Sequence, residues 1–181
     1  MASKKDFEIA VEKYSAATLL TQMNSGSYRI LKVSMAELNE LCALSLSTFI
    51  DTFSKQNNPD NMEAYLKKAF NEAQLKAELD NPDSYFYFLK NEDKTIGYLK
   101  LNVKKAQTDQ VLDNALEIER IYIIQSHQSQ GCGSILIDFA MEEAKRKNLM
   151  CIWLGVWEKN EKAITFYKRY GFEVFADHPF K

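Results

Sequence analysis

Two strand-like segments joined by one amphipathic helix constrain this chain more than any other stretch. Leu116-Glu117-Ile118-Glu119-Arg120-Ile121-Tyr122-Ile123-Ile124 is rich in β-branched residues, and Met150–Trp157 is a continuous apolar run. Between them, residues 131–147 place apolar side chains at helical spacing and end in Lys145-Arg146-Lys147, whose charge suits a helix C-terminus. Such a unit runs its strands parallel with a right-handed crossover, and a strand apolar throughout is buried on both faces. The chain is thereby committed to a sheet with helices packed on it.

The loop inside this unit ends in Gln128-Ser129-Gln130-Gly131-Cys132-Gly133, directly before the first helical turn. A helix N-terminus carries unpaired N–H groups and partial positive charge, and glycines let a ligand approach the backbone. The loop reads as an anion cradle at the carboxyl end of the parallel strands, where ligands bind in sheets of this kind. It is neither of two familiar phosphate loops, having no Gly-Lys-Ser/Thr and no third glycine of the dinucleotide fingerprint. A plain strand-to-helix turn would use the same two glycines. Glu117 and Glu119 alternate onto one face of the strand, which places Arg120 on the other.

The remaining elements follow from local signals. Tyr28–Leu31 reads as a strand, Ser34-Met35-Ala36-Glu37 as a capping box opening a helix to Phe53, and Asp60 or Asn61 as the cap of a helix to Phe70. Asn71 with Gln74 opens a further helix to Leu79. Tyr85–Leu89 and Thr95–Val103 flank Asn91-Glu92-Asp93-Lys94 as an antiparallel hairpin. Asn160 caps a helix through Tyr170, Gly171 stops it, and Phe172–Phe175 starts a last strand. The class is α/β, a mixed central sheet flanked by helices.

Length and charge narrow the function. The 181 residues suit one domain at 28–181, preceded by an extension or flexible segment at 1–27. Within that extension Phe7–Val11 alternates like a strand, Ala16–Met23 could be helical, and Asn24–Ser27 reads as a joint. A net charge of −2 argues against a nucleic-acid partner and for a cationic or small-molecule one. Cys42, Cys132 and Cys151 lack metal or disulfide spacing, and no apolar run is long enough for a membrane, so a cytoplasmic protein without a metal is expected. His127 and Cys132 lie in the loop, where a solvated surface histidine is the plain reading and a thiol at a helix N-terminus could be reactive.

Two halves of a signature now stand at the right separation: Gln128-x-x-Gly131-x-Gly133, and Asn160-x-x-Ala163-x-x-Phe166-Tyr167-x-x-x-Gly171-Phe172. With the element order they resemble the GCN5-related N-acetyltransferase (GNAT) family over residues 28–180. Leu116–Ile123, Trp153-Leu154-Gly155-Val156-Trp157-Glu158, and Thr48-Phe49-x-Asp51-Thr52-Phe53 with Gln56-Asn57 resemble its PaiA-type polyamine acetyltransferases. The resemblance implies the acyl-CoA N-acyltransferase fold and acetyl transfer from acetyl-CoA to a primary amine such as spermidine or spermine. It implies that pyrophosphate meets Gln128, Ser129, Gln130, Gly131, Cys132, Gly133 and Ser134. The pantetheine arm would pair with Ile121, Tyr122 and Ile123, and Asn160 and Ala163 would complete the cofactor site. Glu119, or alternatively Glu117, would be the base, Tyr167 the acid at the leaving thiolate, and the Ile121 N–H an oxyanion donor. Lys159 and Lys168 stand near the place of the ribose phosphate, and Phe49, Asp51 and Phe53 would wall the amine.

Family members continue past the strand at 172–175 into one more strand, so the expected sheet lacks its last strand. Docking of Phe7–Val11 in that place, in its own chain or a partner's, is the alternative, and a homodimer stays open. Two other functions also stay open: acetylation of a peptide amine, and a catalytically weak CoA-binding regulatory module.

Overall fold

The computed structural model describes residues 3–13, 28–54, 59–109 and 112–179. The strands are β1 Ser3–Ala10, β2 Tyr28–Lys32, β3 Ser84–Asn91, β4 Lys94–Val103, β5 Ala115–Ile123, β6 Cys151–Trp157 and β7 Glu173–Pro179. The helices are α1 Leu38–Phe53, α2 Pro59–Ala69, α3 Glu72–Asp80, α4 Cys132–Arg146 and α5 Glu161–Arg169. The expected helix at Ala16–Met23, the joint at Asn24–Ser27, and Gln56 and Asn57 lie outside the described residues.

One seven-stranded sheet runs in the order β2-β3-β4-β5-β6-β1-β7. β2 to β5 form an antiparallel meander, and β6 joins β5 in parallel through the α4 crossover. Local signals act as read: the Glu37 carboxylate accepts from the Ser34 N–H at 2.7 Å, Asn71 accepts from the Gln74 N–H at 2.8 Å, and Gly171 takes φ +88°.

The place expected to be vacant beside Phe172–Phe175 is filled by β1, which runs antiparallel between β6 and β7. Its register pairs Phe7 with Leu154 on one side and Val174 on the other. The physical reason is the alternation of the segment: Phe7 and Ile9 turn to one face, Lys4, Asp6 and Glu8 to the other. Phe7 is fully buried, with its ring centroid 6.5 Å from that of Tyr167. A strand between two open edges also satisfies backbone groups on both of its sides. The strand is supplied from the start of the sequence.

Two apolar layers sandwich the sheet. α4 and α5 cover one face, where Leu136, Ile137, Ala140 and Tyr167 pack with Phe7, Leu101, Leu116, Ile152 and Leu154. α1 and α3 cover the other face over β3 and β4, where Leu41, Leu44 and Leu75 pack with Phe86, Phe88 and Tyr98. Among the described residues, no helix is long and apolar enough to cross a membrane.

Candidate active site

The parallel ladder between β5 and β6 holds Ala115, Leu116 and Glu117 against Cys151, Ile152 and Trp153, and it ends there. Beyond that point β5 continues beside β4 to Ile123, and β6 continues beside β1 to Trp157. The two strands part at their carboxyl ends, so Ile118–Ile123 presents backbone N–H and C=O groups to the gap. An extended chain can pair there.

A β-bulge sits at the mouth of this gap. Lys100 stands opposite Arg120 and Leu101 opposite Ile118, which leaves Glu119 as the extra residue. The extra residue breaks the alternation of the pleat, and Glu119 and Arg120 reach the same group of charges. This corrects the expectation that Arg120 faces away. Its guanidinium lies 3.0 Å from Glu119 and 2.8 Å from Glu78, and Lys100 lies 2.9 Å from Glu78 and 2.5 Å from Glu119. Burial opposes ionisation of Glu78, but Arg120 and Lys100 outweigh it and hold the carboxyl below its ordinary range. Arg120 also lies 5.1 Å over the Phe70 ring. The network fixes Glu119 on the face opposite α4.

Glu117 lies one step deeper and is only 2% exposed. Its carboxylate accepts from the Thr108 N–H at 2.8 Å, from the Thr108 hydroxyl and from Asn102 at 3.1 Å. Burial is the largest influence and pushes its pKa up, although these donors oppose the shift. Asn102 also donates to Glu119, so one amide ties the two carboxylates together. Glu78, Lys100, Asn102 and Thr108 escaped the reading of the sequence. Lys100 and Asn102 did leave a signal, as polar residues alternating with Leu99 and Leu101 in an otherwise apolar strand.

The glycine loop opens at the same end of the sheet. Gly131 is the N-cap of α4 at φ +83°, and a Cβ placed there would meet nothing within 4 Å. The space above the loop is open. Cys132, Gly133 and Ser134 form the first turn, whose N–H groups have no acceptor within the helix. Gln128 donates to the Ile123 carbonyl at 3.0 Å and Gln130 to the Ser126 carbonyl at 2.9 Å, which folds the loop back on the end of β5. Ser129 takes φ +62° between them. Gly133 faces α5, where a Cβ would stand in contact with the Phe166 ring at 3.4 Å. The Cys132 thiol is buried, which raises its pKa, and it is hydrogen-bonded with Tyr28. His127 pairs with the Ser126 hydroxyl at 2.9 Å.

α5 brings the second half of the signature to the other side of the gap. The Asn160 side chain accepts from the Ala163 N–H at 3.2 Å as the helix cap. Tyr167 is buried among Phe7, Phe166 and Phe172, and burial pushes its hydroxyl well above the ordinary tyrosine range. Burial thus favours the protonated hydroxyl, the form that has a proton to donate. Ile121 and Ile123 pack half-buried against the same core, and Tyr122 stacks on Tyr98 with centroids 5.6 Å apart.

On the face opposite α4, aromatic rings extend the site outward. Phe49 packs with Phe53, Tyr65 and Phe70 at centroid distances of 4.6, 4.9 and 5.2 Å, and Phe53 lies 6.0 Å from Trp157 at the end of β6. Asp51, expected on this wall, is exposed on α1. Lys159 lies 5.7 Å from the Trp157 ring. Among the described residues, no group of His, Cys, Asp and Glu could hold a metal ion.

A glycine loop at a helix N-terminus, a parted pair of parallel strands and carboxylates at the parting are therefore assembled in one place. The model of the acetyltransferase (GNAT) family matches residues 46–172. The chain belongs to the GNAT family. A GNAT relative from Lactobacillus delbrueckii subsp. lactis, an uncharacterized N-acetyltransferase, is 45% identical over 152 residues, covering 84% of this chain and 88% of its own. An uncharacterized N-acetyltransferase of Mycobacterium tuberculosis is 22% identical over 147 residues, 81% of this chain and 90% of its own. Among solved structures, the PaiA N-acetyltransferase of Thermoplasma acidophilum in complex with coenzyme A superposes with a TM-score of 0.72 at 21% identity. It covers 83% of this chain and 92% of that one. An aminoglycoside N-acetyltransferase in complex with CoA follows at 0.64 and 15%, covering 86% and 95%. The fold is that of the GNAT acetyltransferases, and acetyl-CoA is the cosubstrate. The loop fits it, with open space at Gly131 and unpaired N–H groups where the pyrophosphate would lie.

Proposed function

We propose that this GNAT protein acetylates a small primary amine of the polyamine class at the parting of β5 and β6. The observation that carries the reading is the placement of Glu119. It lies past the end of the parallel ladder, on the face where Phe49, Phe53 and Trp157 gather. A cationic alkyl chain is well served by carboxylates beside aromatic faces.

The residues divide the work as follows. The N–H groups of Gln128–Ser134 hold the pyrophosphate, and the free edge at Ile121–Ile123 pairs with the pantetheine arm. Asn160 and Ala163 close the cofactor side at the start of α5. An amine with a pKa near that of lysine is protonated at neutral pH and must lose a proton before attack. Glu119 accepts it, directly or through water. Glu117, deeper and held by Thr108, positions Glu119 through Asn102. The Ile121 N–H polarises the carbonyl under attack, and Tyr167 donates to the departing sulfur. Free cysteines at 42, 132 and 151 suit a reducing cytoplasm.

The test is CoA release from acetyl-CoA with spermidine, with a lysine-containing peptide, and without acceptor. Release that depends on spermidine is expected. Release only with the peptide would move the acceptor class to peptides, and none with any amine despite tight acetyl-CoA binding would leave a CoA-binding module.

A further inference from the structure

β1 does more than complete the sheet. It lays Lys4 across the face that carries Glu119 and Trp157. Lys4 stands opposite Trp157 in the β1–β6 register, and its side chain runs over Gly155. A Cβ at position 155 would lie only 1.6 Å from the Lys4 Cε and 2.6 Å from its Nζ, so only glycine leaves room for the arm. Gly155 is two residues beyond Trp153, the last residue that pairs with β5, and so lies at the mouth of the gap. The ammonium comes to rest 5.4 Å from the Trp153 ring centroid, 3.5 Å from Asp6 and 3.8 Å from Asp109. Asp6 is fully buried and the Lys4 side chain is 18% exposed. The arm is seated and does not wave in solvent.

The chemistry of the occupant defines the seat. A lysine side chain is a butylamine: four methylenes lying in a slot, with a cation on an aromatic face between two carboxylates. We propose that Lys4 is a specificity residue of the acceptor side, filling a slot over Gly155 that the aminobutyl arm of a diamine or polyamine takes when Lys4 swings out. The inference rests on the amine-acetylating reading above. It adds the place where the distal, unreacting ammonium binds. An acceptor that must displace Lys4 binds more weakly by the fraction of time the slot is open.

The test compares wild type with Lys4→Ala, which empties the slot, and Lys4→Met, which keeps an apolar arm in it without the charge. Steady-state kinetics are measured with 1,4-diaminobutane, spermidine and ethylamine, beside binding of 1,4-diaminobutane read by tryptophan fluorescence. Lys4→Ala is expected to lower the KM and the dissociation constant for the two aminobutyl compounds about tenfold. The KM for ethylamine and for acetyl-CoA should stay put, and Lys4→Met should show no such gain. Unchanged affinity for 1,4-diaminobutane in a Lys4→Ala protein that melts like wild type would overturn the proposal. Turnover of spermidine with a KM indifferent to Lys4 would refute the slot and leave the function standing. Tighter diamine binding in Lys4→Ala without turnover of any amine would support the slot and refute the function.

Discussion

A chain lacking residues 1–10 is expected to lose its cooperative thermal transition. Phe7 is fully buried and Ile9 is 6% exposed in the core that also holds Tyr167. Truncating a buried Phe costs about 3–5 kcal/mol and a buried Ile about 2–5 kcal/mol. Removing the whole strand also strips β6 of a partner and β7 of the neighbour that joins it to the sheet. Against a typical total stability of about 5–15 kcal/mol, these losses leave little folded protein. The milder Phe7→Ala should still fold but melt roughly 10 °C lower. Calorimetry or circular dichroism on both variants reads the result. A truncated chain that melts within a few degrees of the full one would show that β1 is not part of the stable sheet.

The second large effect is on turnover. Glu119→Gln should lower kcat about a hundredfold or more, the scale of a lost general base, while leaving acetyl-CoA binding close to wild type. Tyr167→Phe should act similarly through the lost proton donor. Because burial raises the Tyr167 pKa, its protonation imposes no alkaline loss of activity up to the ordinary tyrosine range. Glu117→Gln differs in kind. Its carboxylate holds Thr108 and Asn102, so that change should disturb the 104–109 connection and act on kcat only through Glu119. Single-turnover kinetics with spermidine separate these cases. Equal, small effects from all three substitutions would mean that the proton is handled elsewhere.

The parts of the fold that were legible in the sequence are those governed by local chemistry. The strand, glycine loop and helix at 115–146 are specified by periodicity, by Gly131 at positive φ and by a helix N-terminus, all within one short stretch. Asn160 and Gly171 likewise mark the ends of α5 by capping rules that involve only near neighbours. The position of β1 was not legible in the same way. Its alternation showed a strand, but its choice of β6 and β7 depends on edges formed by residues more than 140 positions away. The bulge at Glu119 was hidden too, because an extra residue in one strand shows only against its partner. Glu78 reached the site from α3, where a glutamate on a helix surface looks like any solvated charge.

These differences alter the surroundings of Glu119 more than the glycine loop. The loop, the parting strands and α5 stand where periodicity and capping put them. The face that carries Glu119 gains Lys4 and Asp6 from β1. It also gains Lys100 and Arg120, which set how Glu119 is held.

Hydrogen exchange measured with and without saturating CoA tests the central claim most directly, since it needs neither a known acceptor nor turnover. The account predicts new protection at the N–H groups of residues 129–134 and along the free edge of β5 at 118–123, with β2 and β3 unchanged. Protection confined to other segments, or none in these two under saturating CoA, would contradict the placement of the site.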